Sequence, residues 1–276
     1  NIGNDAERGG HVAEGGMSRL ARGGSLSEGG GMRRMGILVL LLCAFSVIAR
    51  ANEAQMLARI HVEAIGGEHR LKALKSLKVN GHVDIDDRRL HFTLWAARPN
   101  QLRMETRASD RVLIQATDGV NRPWEMNPEA EIPSPSLLTG DEAREFSGNS
   151  EFDDPLVDFE SRGYTLDYAG TTKWQGRKTH RIFVTRGFVD GFYLLLDAEN
   201  YFITGKQWVR KTDYGREIKM EIVYSEFRPV SGLIMPHRFV TNADEELLYE
   251  TMLQKVQPNA PLPKEGFSLP LVKPVE

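Results

Sequence analysis

The sequence predicts a mostly antiparallel α+β fold, an unclosed β half-barrel with helices packed on its concave face as a lid. Three observations carry this. After Lys75 the apolar residues recur with a period of two rather than 3.6. The strand-like segments succeed one another across Gly-containing turn dipeptides, which leaves little room for the crossover helices of parallel βαβ units. Helical signals are confined to the start of the ordered chain and to one inserted segment, and a long meander so arranged can curl into an incomplete barrel filled by those helices.

Taken in order, residues 1–31 hold ten glycines and few large apolar side chains, so nothing there offsets the entropy of ordering it. This stretch reads as disordered or as translated leader. From Met32 the character of the chain changes. Arg33 and Arg34 precede an apolar run from Gly36 to Ile48, which ends in Ala49-Arg50-Ala51. A positive start, a short apolar core and a small-x-small exit are the parts of a secretory signal peptide. The run is shorter than the roughly 20 residues of a permanent membrane anchor. Residues 32–51 are therefore expected to be cleaved after Ala51 on export. Cys43 comes after the bulky Leu42, which does not suit lipid attachment.

Asn52 is placed to cap a helix that carries Met56, Leu57, Ile60 and Ala64 on one face, and Gly66-Gly67 ends it. A second short helix is expected over Glu68 to Lys75. Leu90, Phe92, Leu94 and Ala96 then alternate with His91, Thr93 and Trp95, a strand with one strongly apolar face. Further strands are expected at 102–107, 112–117, 165–169, 180–185, 192–197, 203–211, 217–227, 233–240 and 247–256. Asn80-Gly81, Asp118-Gly119, Asp190-Gly191 and Tyr214-Gly215 supply turn chemistry. The interval from Asn127 to Gly163 interrupts the meander with prolines, a helix expected over Thr139–Ser147, and Phe152 to Phe159. It reads as a lid-like segment laid across the sheet. With no change of composition after residue 52, residues 52–276 are expected to form a single domain.

The whole chain is 276 residues with a formal net charge of -3 and a pI near 6.2, and no isolated basic footprint for nucleic acid is present. Residues 1–51 hold six of the 35 Lys+Arg, four of the 38 Asp+Glu and the single cysteine. The remaining 225 residues thus carry 29 and 34, a net charge of −5, with no cysteine. A cysteine-free exported chain without an Asn-x-Ser/Thr site suits a bacterial periplasm.

Sequence signatures of catalysis are missing: there is no G-x-S-x-G, H-E-x-x-H, Ser-x-x-Lys, P-loop or G-x-G-x-x-G. No metal or cofactor is expected. His82 and Asp84 share a strand face and read as a solvated hairpin end rather than a cation site. Asp153, Asp154 and Asp158 read as charges favoured at the start of a helical turn. What remains is surplus apolar surface. Phe92, Leu94, Trp95, Met104, Ile114 and Trp124 are candidates to line a cavity. Phe183, Leu194, Leu196, Met220 and Ile222 complete the candidate wall. A curved antiparallel sheet with few helices encloses more apolar wall than its own side chains fill, and such half-barrels hold hydrophobic ligands.

Leu94-Trp95-Ala96-Ala97-Arg98-Pro99-Asn100, then Asp118-Gly119, Trp124 and Asn127-Pro128, resembles the LolA/LolB-like superfamily of periplasmic lipoprotein carriers. Asp154-Pro155-Leu156-Val157-Asp158 and Gly232-Leu233-Ile234-Met235-Pro236-His237 are similar to its outer-membrane lipoprotein-sorting subgroup. The resemblance implies an unclosed barrel whose helical lid covers an apolar cavity. It implies a non-enzymatic carrier of lipoprotein acyl chains or another lipid, working between an inner-membrane donor and an outer-membrane acceptor. It also implies that Arg98 holds the lid closed until cargo arrives. Two other classes stand beside the carrier. One is a periplasmic sensor that uses the same half-barrel to bind a protein partner or a mislocalised lipoprotein. The other, a hydrolase, has no motif behind it.

Overall fold

The computed structural model describes residues 53–108, 111–187, 191–212 and 214–270. The leader, the signal peptide with its exit at Ala51, and Asn52 lie outside the described residues. Three helices are described: α1 (53–64), α2 (Glu68–Ala73) and α3 (Gly140–Asn149). None of the described helices is long and apolar enough to cross a membrane.

The first run of strands is β1 (Ser76–Ile85), β2 (Arg88–Ala97), β3 (Gln101–Arg107), β4 (Val112–Thr117), β5 (Trp124–Met126) and β6 (Ser136–Leu137). After α3 come β7 (Tyr164–Trp174), β8 (Arg177–Arg186), β9 (Phe192–Asp197), β10 (Ile203–Lys211) and β11 (Glu217–Ser225). β12 (Arg228–Val230), β13 (Leu233–Met235), β14 (Arg238–Ala243) and β15 (Glu246–Pro258) complete the set. Thirteen of these form one sheet in the order β6-β5-β4-β3-β2-β1-β15-β14-β11-β10-β9-β8-β7, while β12 and β13 pair separately. Its described pairings are antiparallel, and it is not closed into a barrel.

The order explains the helices. β6 and β7 are the two edges, yet they are consecutive in the chain. The segment between them, α3 and the loop 150–163, must cross the sheet from edge to edge, and it does so over one face. α3 places Phe146 against Leu102, Leu94 and Ala96. The loop places Leu156 with Ala54, Leu57 and Ala58 of α1 over Leu166, Ile182, Val184, Leu194 and Leu196. α2 covers one end, where Leu71 and Leu74 meet Ile65, Val157 and Leu233. The face beneath these helices is the inner face.

Two sequence expectations change here. Asn80-Gly81 is not a turn but the middle of β1, and the β1–β2 turn falls at Asp86-Asp87. Glycine is required at 81 for closeness, since a Cβ there would lie 2.3 Å from the Met252 carbonyl oxygen and 2.7 Å from the Phe92 ring. The single strand expected at 233–240 is split into β13 and β14 around Pro236-His237. Asp118-Gly119 is the expected turn. Asp118 accepts the N–H groups of Val120 and Asn121 at 3.0 and 2.8 Å, and these bonds, Asn121's first, hold its carboxyl down at about 2.

Candidate functional site

Residues paired across antiparallel strands share a face, so the register sorts the eleven candidate wall residues. Leu194 and Leu196 pack directly beneath α1. Ile222 lies opposite Lys206, which lies opposite Leu194; Met220 lies opposite Trp208, which lies opposite Phe192. Leu94 pairs with Met104, and Phe92 occupies the same face of β2. Phe92, Leu94, Met104, Leu194, Leu196, Met220 and Ile222 are therefore on the inner wall.

Trp95, Ile114, Trp124 and Phe183 are not. Trp95 pairs with Arg103, Ala116 with Trp124 and Ile114 with Met126, all on the outer face. Trp124 and Ile114 pack there with Val112, Ala116 and Met126 as a separate small core. Phe183 pairs with Tyr193 on the outer face of β8 and β9. An apolar run on a strand places alternate residues on opposite faces, and both faces of this sheet are partly covered by protein.

The inner wall has two kinds of surface. Under α1 it is packed, with Ile182, Val184, Leu194 and Leu196 at 0–2% exposure. Between the footprints of α1 and α3 lie β10, β11, β14, β15 and β1. There Ile222, Tyr224, Phe239, Trp208 and Leu253 stay partly exposed and belong to none of the packed clusters. Burial pushes the Tyr224 hydroxyl far above its ordinary value, although the residue keeps accessible surface. One surface groove of about 500 Å³ is on the outer face beside Arg181, Phe183 and Tyr193; another of about 640 Å³ flanks α2. The first is also lined by Trp208 of β10 and Met220 of β11, and the second by Leu74 and Leu233.

Helix α2 and the loop 150–163 are tied down by polar contacts. Arg98 comes directly after β2, so the strand end aims its side chain at α2. Its Nε donates to the Leu74 carbonyl at 2.8 Å and its Nη2 to the Leu71 carbonyl at 2.9 Å. The same guanidinium forks onto Asp153, with Nη2 to Oδ1 at 2.8 Å, and lies 4.9 Å from the Phe152 ring centroid. One side chain thus joins the end of β2, the C-terminus of α2 and the loop after α3. The loop is further held by Glu151, which accepts from Arg162 at 2.8 Å and from Arg186 and Tyr164.

The acidic run has a different role from the one its sequence suggests. Residues 150–163 form turns rather than a helix, and Asp153 and Asp154 are ion-pair partners. Asp154 Oδ2 lies 3.2 Å from Nε2 of His61 on α1, whose Nδ1 donates to the Tyr201 carbonyl at 2.8 Å. Both ring nitrogens face acceptors, so the imidazolium is the form that satisfies them. Burial alone would lower the His61 pKa; the Asp154 carboxylate and the two hydrogen bonds overcome it and raise the value above 6.5. Burial would likewise raise Asp154, yet His61, the Leu156 N–H and Arg162 hold it below 3.8. Asp84 sits near the β1–β2 hairpin end, forked by Arg89 at 2.7 Å, but His82 is not solvated as expected: it is buried within β1 at 7% exposure. Among the described residues, no three His, Cys, Asp or Glu side chains cluster to hold a metal ion.

The signs of these shifts give a prediction. A raised histidine contributes its stability in full below 6.5 and loses it as pH rises through the folded value. A lowered aspartate contributes in full above 3.8 and loses it as pH falls through its own. The stability difference between the native chain and His61→Gln is therefore expected to be greatest between pH 3.8 and 6.5 and to shrink at pH 9, as measured by urea unfolding. A difference that grows from about pH 5.5 to about pH 9 would contradict the charged pair.

No protein-family model and no curated protein matches the sequence. Solved structures do share its shape. A putative outer membrane lipoprotein-sorting protein domain from Vibrio parahaemolyticus superposes with a TM-score of 0.52 at 8% identity, over 78% of this chain and 95% of that one. A DUF1329 family protein from Desulfovibrio piger gives 0.55 at 7% identity, over 79% and 97%. A LolA superfamily protein from Nitrosomonas europaea gives 0.48 at 14% identity, over 71% and 90%. At such identities the likeness is one of fold: the chain has the unclosed antiparallel half-barrel seen in the first two.

Proposed function

We propose that the chain is an exported periplasmic carrier, which shelters the acyl chains of a lipoprotein or another lipid on its inner wall and moves them toward the outer membrane without covalent chemistry. The observation that supports this is the central inner wall. Ile222, Tyr224, Phe239, Trp208 and Leu253 are apolar or aromatic, lie between the regions covered by α1 and α3, and are not consumed by packing. Arg98 fits a latch in this scheme, since its bonds to α2 and Asp153 are polar contacts that arriving cargo can exchange without unfolding the sheet.

Calorimetric titration with uncharged monoacylglycerols of increasing chain length tests the reading. Each buried methylene is worth about 0.8 kcal/mol, so two added carbons should tighten binding roughly tenfold until the cavity is filled. Affinity independent of chain length, or no better than that of an unrelated folded protein, would end the proposal.

A further inference from the structure

The inner surface of β10 carries cations beside apolar, aromatic and threonine side chains of the neighbouring strands. Lys206, Trp208 and Arg210 face inward between Gly205, Gln207 and Val209, and Lys206 lies in register with Leu194 on one side and Ile222 on the other. Its ammonium is 4.5 Å from the centroid of the Phe192 ring and 5.2 Å from that of Trp208. Among the described residues, no carboxylate comes within 4 Å of Lys206 or Arg210. Glu151 of the loop and Glu145 of α3 attract Lys206 from farther away, but Glu151 is already engaged by Arg162, Arg186 and Tyr164. Desolvation lowers the Lys206 pKa against that attraction. Aromatic faces offset part of the burial cost of a cation, and an opposite charge offsets more.

We propose that Lys206 is a headgroup site, where the ammonium pairs with a single anionic group, carboxylate or phosphate, borne on an acyl chain that lies against Ile222, Tyr224 and Phe239. This rests on the carrier reading and narrows its cargo to acyl amphiphiles with a negative charge close to the chain. The surroundings favour an anion attached to a chain over a free one. Leu194, Ile222, Phe192 and Trp208 offer apolar contact around the ammonium, whereas a small hydrated ion needs a shell of donors.

Titration of the purified chain with laurate and with its uncharged glycerol ester, which has the same chain, tests the site. The native protein should bind laurate about tenfold or more tighter than the ester, the scale of one charge-assisted contact. Lys206→Met should lose that preference while binding the ester as before, and Lys206→Arg should keep it; thermal melts establish that both variants fold. Acetate and inorganic phosphate at equal concentration should not displace laurate. Equal binding of laurate and ester by the native protein, or a preference that survives in Lys206→Met, overturns the headgroup site and leaves the carrier reading standing. Displacement of laurate by phosphate alone would make this a small-anion site and overturns the assignment. Failure of both laurate and ester to bind overturns the carrier reading and the headgroup site together.

Discussion

Arg98→Leu is expected to cost about 2–3 kcal/mol of stability and to loosen α2 and the loop after α3 while the sheet stays formed. The guanidinium binds the Leu71 and Leu74 carbonyls at the C-terminus of α2, adding to the Leu74 N–H that the Leu71 carbonyl already accepts at 3.2 Å. It also neutralises Asp153, whose side chain is 13% exposed and would be left uncompensated. Individual charge-assisted bonds contribute about 1.5–3 kcal/mol, but Arg98 itself is 28% exposed, so solvent replaces part of what is lost. Hydrogen exchange should accelerate in 68–75 and 150–159 and change little in β8 and β9. Release of a bound lipid to acceptor vesicles should shift by about tenfold or more, the consequence of moving an open–closed balance by roughly one to two kcal/mol. Unchanged protection in both segments, with normal transfer, would reduce Arg98 to an ordinary strand-end charge.

A second large effect is expected on the other side of the sheet. Trp124 is 1% exposed and packs with Val112, Ile114, Ala116 and Met126. Its indole N–H donates to the Phe267 carbonyl at 2.9 Å, and Phe267 is itself buried. Arg103 reaches the Gly266 carbonyl at 3.3 Å, and the Ser268 hydroxyl bonds Asp118 at 3.2 Å. The chain after β15 is thus strapped across the outer face of β3, β4 and β5. Trp124→Ala should cost about 3–5 kcal/mol, as large-to-small core substitutions of tryptophan do. It should also expose residues near 266 to limited proteolysis. Acyl binding per folded molecule should be unaffected, because Trp124 is separated from the inner wall by the sheet. Loss of acyl binding by a folded Trp124→Ala protein would place this side chain in the binding wall after all.

Much of the molecule is legible in the residues alone. Period-two alternation marks the strands, the Asn127–Gly163 interruption marks the segment that crosses the sheet, and Gly66-Gly67 ends α1. Helix α3 lies where the Thr139–Ser147 pattern puts it. These are local properties, set by side-chain spacing and turn chemistry within a few residues. The motif Leu94-Trp95 through Asn127-Pro128 also points to the fold, and its residues have visible structural duties: Arg98 joins α2 to the loop after α3, Asp118 shapes a turn, Trp124 anchors the tail.

Which side of each strand faces the helices was decided only by the tertiary structure. Alternation divides a strand into two faces without saying which is inner, and Trp95, Ile114, Trp124 and Phe183 fall on the outer one. An exterior core and a C-terminal strap bury Ile114 and Trp124 there. Bulges add to this. The register shifts at Asn80/Gly81 and between Ile203 and Gly205, and each shift reverses the phase of the residues beyond it. The partners of Arg98 and His61 are distant in sequence, Asp153 lying 55 residues from the first and Asp154 lying 93 from the second. Lys206 gives the same lesson. In sequence it is a lysine in a strand of mixed character, and only pairing with Leu194 and Ile222 turns it inward. Spacing along a chain reports local geometry, whereas the faces and the ion pairs are settled by which distant strands and loops are brought alongside.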